Sequence, residues 1–220
     1  MSTIRERLAS VWLAVRLPMP HSEALASARL RWKPEIEAAQ VFVFSRMLFL
    51  LLAYIATMTF PISGFAGQQL ATARRLAWYH FDAIRFIDIA RHGYTADNSA
   101  FFPLWPLLIH FGGSLFGGSL DADYWVGLVL ANLCFLAALA MFYRLLAAGF
   151  SDAVARRGIL YLAFYSYALF FFAGYSESLF LLLTLGIFLA LRRPTARNWW
   201  LAGALGCLAA LTRTTGMVLL

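Results

Sequence analysis

The residues best suited to chemistry in this sequence are acids and arginines set among apolar side chains. Asp82 follows the aromatic run Trp78-Tyr79-His80-Phe81, and Arg85, Asp88, His92 and Tyr94 come shortly after it. Glu177 is the acid of Ala173-Gly174-Tyr175-Ser176-Glu177-Ser178, and Arg213 lies among hydroxyls in Thr212-Arg213-Thr214-Thr215. A carboxylate between aromatics at the edge of an apolar medium is costly without a role, and one such group can serve as a base. Arginine beside threonine hydroxyls suits phosphate oxygens, which accept from the guanidinium fork. Each feature also has a plainer reading. Arg85 and Arg91 can simply wet an exposed face, Ser176 and Glu177 can open a helix, and Arg213 can end one by reaching toward headgroups.

The elements that position these residues are set by composition. Of 220 residues, 62% are hydrophobic and 13% charged, and the mean hydropathy is +0.71. Soluble domains are about half apolar and about a quarter charged, so a water-soluble fold of this size could not hide so much apolar surface. Lipid is the solvent that fits, and the expectation is an all-α, polytopic transmembrane bundle. The net charge of +7 comes from arginine clusters between apolar runs, with no continuous basic face, which argues for topology signals and against a nucleic-acid partner. Residues 1–40 read as a cytoplasmic or interfacial leader carrying Arg5, Arg7, Arg16, Arg29, Arg31 and Lys33. A transmembrane domain over 41–220 follows, with spans near 41–60, 125–143, 158–173, 179–191 and 199–211. Arg46 falls inside the first span and is expected to snorkel. Cys134 and Cys207 read as buried packing residues.

Between 62 and 124 the chain turns polar and aromatic and forms an external loop. Tyr79, Ala83, Phe86, Ile87 and Ala90 recur at helical spacing, and Arg85, Asp88 and His92 share another face, so an amphipathic helix lies in the interface and stops at Gly93. Phe101–Phe116 is apolar but interrupted by Pro103, Pro106 and paired glycines. The FGGSL at 111–115 and again at 116–120 reads as flexible backbone or close helix approach, and Gly113 and Gly117 form a lone GxxxG. If 101–116 dips without crossing, the leader and the connections at Arg144–Arg157 and Arg192–Arg197 all face the cytoplasm, as the positive-inside rule asks. Asp82, Asp88, Glu177 and Arg213 then share the external side. If it crosses, the two short basic loops move outside.

FDAIRFIDIARHGY (81–94), AFFPLWPLL (100–108), AGYSESLF (173–180) and LTRTTG (211–216) resemble, in order and spacing, the glycosylphosphatidylinositol mannosyltransferase II (PIG-V) family and its bacterial relatives. The resemblance runs from Trp78 to Gly216. Phe81 stands where the family more often has Trp, and Thr215 where many members have Asn. The resemblance implies a GT-C-like glycosyltransferase that moves a hexose, mannose in this family, from a polyprenyl-phosphate donor to an acceptor hydroxyl at the external membrane face. It implies no metal and no further cofactor, and partners that are the lipid-linked donor, an unidentified lipid, glycan or protein acceptor, and membrane lipids. By position, Asp82 would be the catalytic base. Arg213, with Arg85 second, would bind phosphate, and Glu177 and Asp88 would orient hydroxyls. His92, Tyr94 and Trp78 would complete the substrate-binding set, and Trp78, Tyr79 and Phe102 would stack on sugar or prenyl chain. A single base implies inversion at the anomeric carbon. The location would be the plasma or inner membrane in a bacterium and the endoplasmic reticulum in a eukaryote. Members of the family are longer, so the chain reads as an N-terminal fragment. The competing class is a transporter or flippase, whose pathway broken helices and intramembrane charge could line; a scaffold without chemistry is a third.

Overall fold

A computed structural model describes residues 32–59, 78–193 and 195–219, and all regular structure among them is helical. The leader up to residue 31 and the segment 60–77, with its Pro61, Ser63 and Gly64 break, lie outside the described residues. In chain order the helices are α1 (Lys33–Thr59), α2 (Asp82–His92), α3 (Leu104–Leu115), α4 (Leu120–Ala147), α5 (Asp152–Phe164), α6 (Glu177–Leu191) and α7 (Ala196–Ala210). Short 3-10 turns occupy Ala96–Asn98, Ala168–Phe171 and Thr214–Leu219. Helix starts follow their capping residues. Ser119 accepts from the Ala122 N–H at 3.1 Å, Ser151 from Val154 and Thr195 from Asn198, satisfying amides that the first turn leaves unpaired.

Two helices, over Lys33–Ala56 and Leu120–Ala147, are long and apolar enough to cross a bilayer. The first begins at Lys33 instead of Val41, absorbing the end of the expected leader. The run 158–173 is not one helix: α5 stops at Phe164, Tyr165 is extended, and the chain turns through Ala168–Phe171 before α6 starts. Three ion pairs gather at one end of the bundle: Lys33 with Asp152, Arg144 with Glu35, and Arg156 with Glu37 at 2.6 Å. At the same end Arg192 donates to the Leu145 and Ala148 carbonyls that finish α4. So α1, α5 and α7 leave this basic end and α4 and α6 return to it.

The opposite end is roofed by α2 and α3. The Leu104 N–H donates to the Leu211 carbonyl at 3.0 Å, while the far end of α3 packs on the start of α4. Both ends of α3 therefore lie at one end of the bundle, and its 12 residues reach only about 18 Å. The two FGGSL copies do different things. In the first, a Cβ on Gly113 would overlap Asp123 Oδ1; in the second, Gly117 and Gly118 take φ of 91° and 64° and reverse the chain. Asp123 is buried there and pairs with Arg91 at 2.6 Å, fastening α2 to α4.

The apolar stripe Ala83, Phe86, Ile87 and Ala90 is buried with Tyr79, but against protein: Trp105 and Ile109 of α3 and Leu179 of α6 share its core. Tyr79 joins that core from outside the helix, which starts only at Asp82. A second core of Ala38, Phe135, Leu139, Ala155 and Ile159 joins α1, α4 and α5. Two expectations fail in it and beside it. Arg46 does not snorkel; it is buried, hydrogen-bonded to Asn132 and to the Phe171 carbonyl, because the α5–α6 break offers it carbonyl oxygens nearer than any headgroup. Cys207, on α7, is exposed and Cys134, on α4, half-buried.

Gly113→Ala is expected to lower the thermal midpoint of the detergent-solubilised protein, at a cost of about 1–3 kcal/mol for overpacking. Gly203→Ala, where an added Cβ meets open space, is the control, and should leave the midpoint equal or raised by helix propensity. Equal midpoints for Gly113→Ala and wild type would show that α3 and α4 do not approach this closely.

Candidate active site

At the roofed end, segments from four places in the chain close around a cleft of about 210 Å³, lined by Asp82 and Phe86, by 100–102, by 175–177 and by 212–214. Each enters at the end of a helix or in a turn, where side chains can point past the bundle. Asp82 is the first residue of α2 and Glu177 the first of α6. Arg213 follows the end of α7, and Phe101 and Phe102 lead into α3.

Directional bonds hold the four segments in register. The Trp105 indole donates to the Gly174 carbonyl at 3.1 Å, and the Tyr175 hydroxyl donates to the His80 carbonyl at 2.7 Å. The Tyr79 hydroxyl donates to the Tyr124 carbonyl. Its ring lies so close to Gly174 that any Cβ there would overlap it, so the glycine is what lets the turn reach α2. Phe81, just before Asp82, has φ 49° and ψ −121°, a region that costs a residue with a Cβ about 1–3 kcal/mol. That strain falls beside the acid, where α2 must start abruptly to face the cleft.

The electrostatics are those of two acids and one cation. Arg213 pairs through Nη1 with Glu177 Oε1. Glu177 Oε2 is buried with no hydrogen-bond partner among the described residues, an acceptor left open in a partly desolvated site. Asp82 lines the cleft with no ion pair to another described residue. Burial raises the Tyr175 pKa, and the negative charges of Asp82 and Glu177 push it further the same way, so both carboxylates act on one phenol from two sides. Tyr175 therefore remains a donor through the physiological range. Burial also raises Tyr79 and Tyr94.

The cleft brings together Asp82, Glu177, Arg213 and Phe102 from the sequence-based set and leaves the rest outside its lining. Asp88 pairs with His92 at 3.0 Å and accepts from Asn98 at 3.4 Å, which fixes the turn after α2. The Tyr94 hydroxyl donates to the Phe101 carbonyl at 3.0 Å, steadying the 100–102 wall from behind. Trp78 packs edge-on against Phe172 with ring centroids 4.3 Å apart. Tyr79 is 2% exposed and has no face free to stack on a ligand. Arg85 is exposed away from the cleft. Thr212 is buried and spends its proton on the Leu208 carbonyl at 2.8 Å, leaving Thr214 as the hydroxyl of that segment on the wall. Sequence reasoning gave no role to Tyr175. Its place between Gly174 and Glu177 was the available signal, but its bond to His80 is a contact across 95 positions. No cluster of His, Cys, Asp or Glu suited to a metal occurs among the described residues.

Apolar helices of spanning length, and a small cleft of opposed charges where broken helices converge, define a helical membrane protein with a polar site at one end of its bundle. The chain belongs to the mannosyltransferase (PIG-V) family, whose sequence model matches residues 36–219. Rat GPI alpha-1,6-mannosyltransferase 2 is 34% identical over 165 residues, covering 69% of this chain and 32% of the rat protein. The chain thus spans about a third of that relative's length. No solved structure matches it.

Tyr175→Phe is expected to cost about 1 kcal/mol of stability by removing the bond to His80. Because the folded-state pKa is raised, that contribution is fully present below the ordinary tyrosine value near 10 and is lost as pH rises through the folded value. The difference in thermal midpoint between wild type and Tyr175→Phe should stay constant between roughly pH 6 and pH 9. A difference that disappears within that window would show that the phenol is not the clamp.

Proposed function

We propose that this chain forms the catalytic part of a membrane mannosyltransferase that uses a polyprenyl-phosphate mannose donor. The observation that carries the proposal is one cleft lined both by a carboxylate with no ion pair among the described residues, Asp82, and by a guanidinium, Arg213, in a chain of this family. Asp82 takes the proton of an acceptor hydroxyl as its oxygen bonds to the anomeric carbon. The bond from that carbon to the phosphate oxygen breaks, and polyprenyl phosphate leaves with the electron pair. The leaving phosphate gains negative charge in this step, and Arg213 stabilises it. Glu177 occupies only Nη1 of a group with five N–H donors, so a phosphate can share the guanidinium. Glu177 Oε2 is placed to accept from a sugar or acceptor hydroxyl, and Phe102 offers a ring to the sugar face. With Glu177 tied to a cation, the described lining offers no second free carboxylate as a nucleophile, which supports inversion. Asp88, His92 and Tyr94 serve the same reaction as supports of the cleft wall, and Trp78 as packing behind it. Arg85, exposed on α2, is suited to donor headgroups arriving from the bilayer surface.

Helix lengths support a site within the outer part of the membrane. α5 has 13 residues and α6 and α7 have 15 each, about 20 and 23 Å long, against a hydrocarbon core of about 30 Å. Starting from a common basic end, which the positive-inside rule makes cytoplasmic, these helices stop short of the far boundary. Glu177 and Arg213 then sit below the external surface under the α2–α3 roof, at a depth that a lipid-linked phosphate reaches from the side.

The test is transfer of label from polyprenyl-phosphate [³H]mannose to lipid or protein in membranes carrying the protein. Asp82→Asn should reduce transfer by about 10²–10⁴-fold, the range for loss of a general base, with expression and membrane insertion unchanged. Undiminished transfer would remove Asp82 from the chemistry, and label crossing the membrane without covalent transfer would favour a flippase.

A further inference from the structure

The least expected charge in the molecule lies away from the cleft, on a helix that contributes nothing to its lining among the described residues. Arg46, on α1, is 7% exposed. Its nitrogens serve three neighbours: Nε donates to Asn132 Oδ1 at 2.8 Å, Nη1 to Ser45 Oγ at 3.1 Å, and Nη2 to the Phe171 carbonyl at 2.8 Å. The guanidinium carbon stands 4.5 Å from the ring centroids of both Phe42 and Phe135. No carboxylate of the described residues pairs with it. A cation in the apolar part of a spanning helix is costly and invites a functional explanation.

Its partners supply one. Phe171 and Phe172 lie in the break between α5 and α6, where the carbonyls have no helical donors. Arg46 satisfies Phe171, helped by Ser178 Oγ at 3.1 Å, and Asn132 satisfies Phe172 at 2.9 Å while also donating to Leu128 in its own helix. Arg46 and Asn132 hold each other, so α1 and α4 together grip two successive carbonyls. A few residues later the same strand of chain delivers Tyr175 and Glu177 to the cleft.

We infer that Arg46 is a positioning residue for the second acid of the cleft: with Asn132 it fixes the break between α5 and α6 at Phe171 and Phe172, and so sets where Glu177 and Tyr175 stand. A neutral side chain of similar size would fill the space between Phe42 and Phe135, but would take the guanidinium donors from the Phe171 carbonyl and from Asn132 Oδ1. The inference about placement stands on geometry; its effect on turnover rests on the proposed transferase reading.

The two parts are tested separately. In membrane-embedded full-length protein, Arg46→Gln should speed amide hydrogen exchange across Phe170–Ser178 by about tenfold or more, with Asp82–His92 unchanged. Asn132→Leu, which removes the second grip and the acceptor of Arg46 Nε but leaves the Arg46–Phe171 bond's own groups in place, should give the same local pattern. Unchanged exchange at Phe170–Ser178 in both variants, or a rise spread evenly over α1, α4 and α2, overturns the inference, the second case making Arg46 a general folding residue. In the labelled-mannose assay, Arg46→Gln should lower turnover on the order of 10- to 100-fold, and add little further loss in a Glu177→Gln background. Independent, multiplying losses would show that Arg46 does not act through Glu177. Absence of transfer in the wild type would count against the transferase reading while leaving the exchange result to decide the placement.

Discussion

A broken helix buried away from water must find protein partners for its backbone groups, and the stretch between α5 and α6, buried at residues 171–176, lives under that constraint. Its N–H groups are met locally: Ala168 donates to Tyr165, Phe172 to Leu169 and Tyr175 to Ala173, at 2.8–2.9 Å. Its carbonyls are met from elsewhere. Phe171 receives Arg46 and Ser178, Phe172 receives Asn132, and Gly174 receives the Trp105 indole. Those donors come from α1, α3, α4 and α6, so satisfying three carbonyls ties most of the bundle to one turn.

That requirement shapes the cleft. Because the turn is stapled to α3 through Trp105 and to the entry of α2 through Tyr175, Glu177 cannot move without disturbing the roof. The Leu104–Leu211 bond does the same for Arg213. Acid and cation are thus fastened through adjacent residues of α3, Trp105 and Leu104, which keeps the two segments in register. Asp82 is positioned differently, by a strained residue before it and by the buried Tyr79 behind it.

Much of this was legible in the sequence, for identifiable reasons. The all-helical membrane architecture followed from composition, and the stripe Ala83, Phe86, Ile87 and Ala90 followed from periodicity, which reports burial whatever the burying partner is. The partner was not legible: an amphipathic helix at a lipid surface and one roofing a bundle have the same pattern. Asp82, Glu177 and Arg213 stood out because charge among apolar residues demands a reason, yet the same logic misplaced Arg46. Snorkelling was inferred from distance along its own helix, whereas the acceptors it found are on Phe171 and Asn132, separated from it by 125 and 86 positions. The break at Phe164 was nearly hidden, since Ser166, between Tyr165 and Tyr167, is a weak signal in the otherwise apolar 158–173, and the turn is stabilised by side chains of other helices.

The convergence of motifs so far apart in the chain has a simple topological cause. The connections from α4 to α5 and from α6 to α7 are short, with arginines in or flanking them, so each pair of helices meets at the basic end. Whatever lies between such connections must fall at the other end, and that is where Tyr175–Glu177 and Arg213 stand. The α2–α3 segment joins them because it lies between α1, which leaves the basic end, and α4, which returns to it. The arginine clusters therefore do more than orient the chain. By fixing which turns share an end, they decide that Asp82, Glu177 and Arg213, from three remote segments, line one cleft.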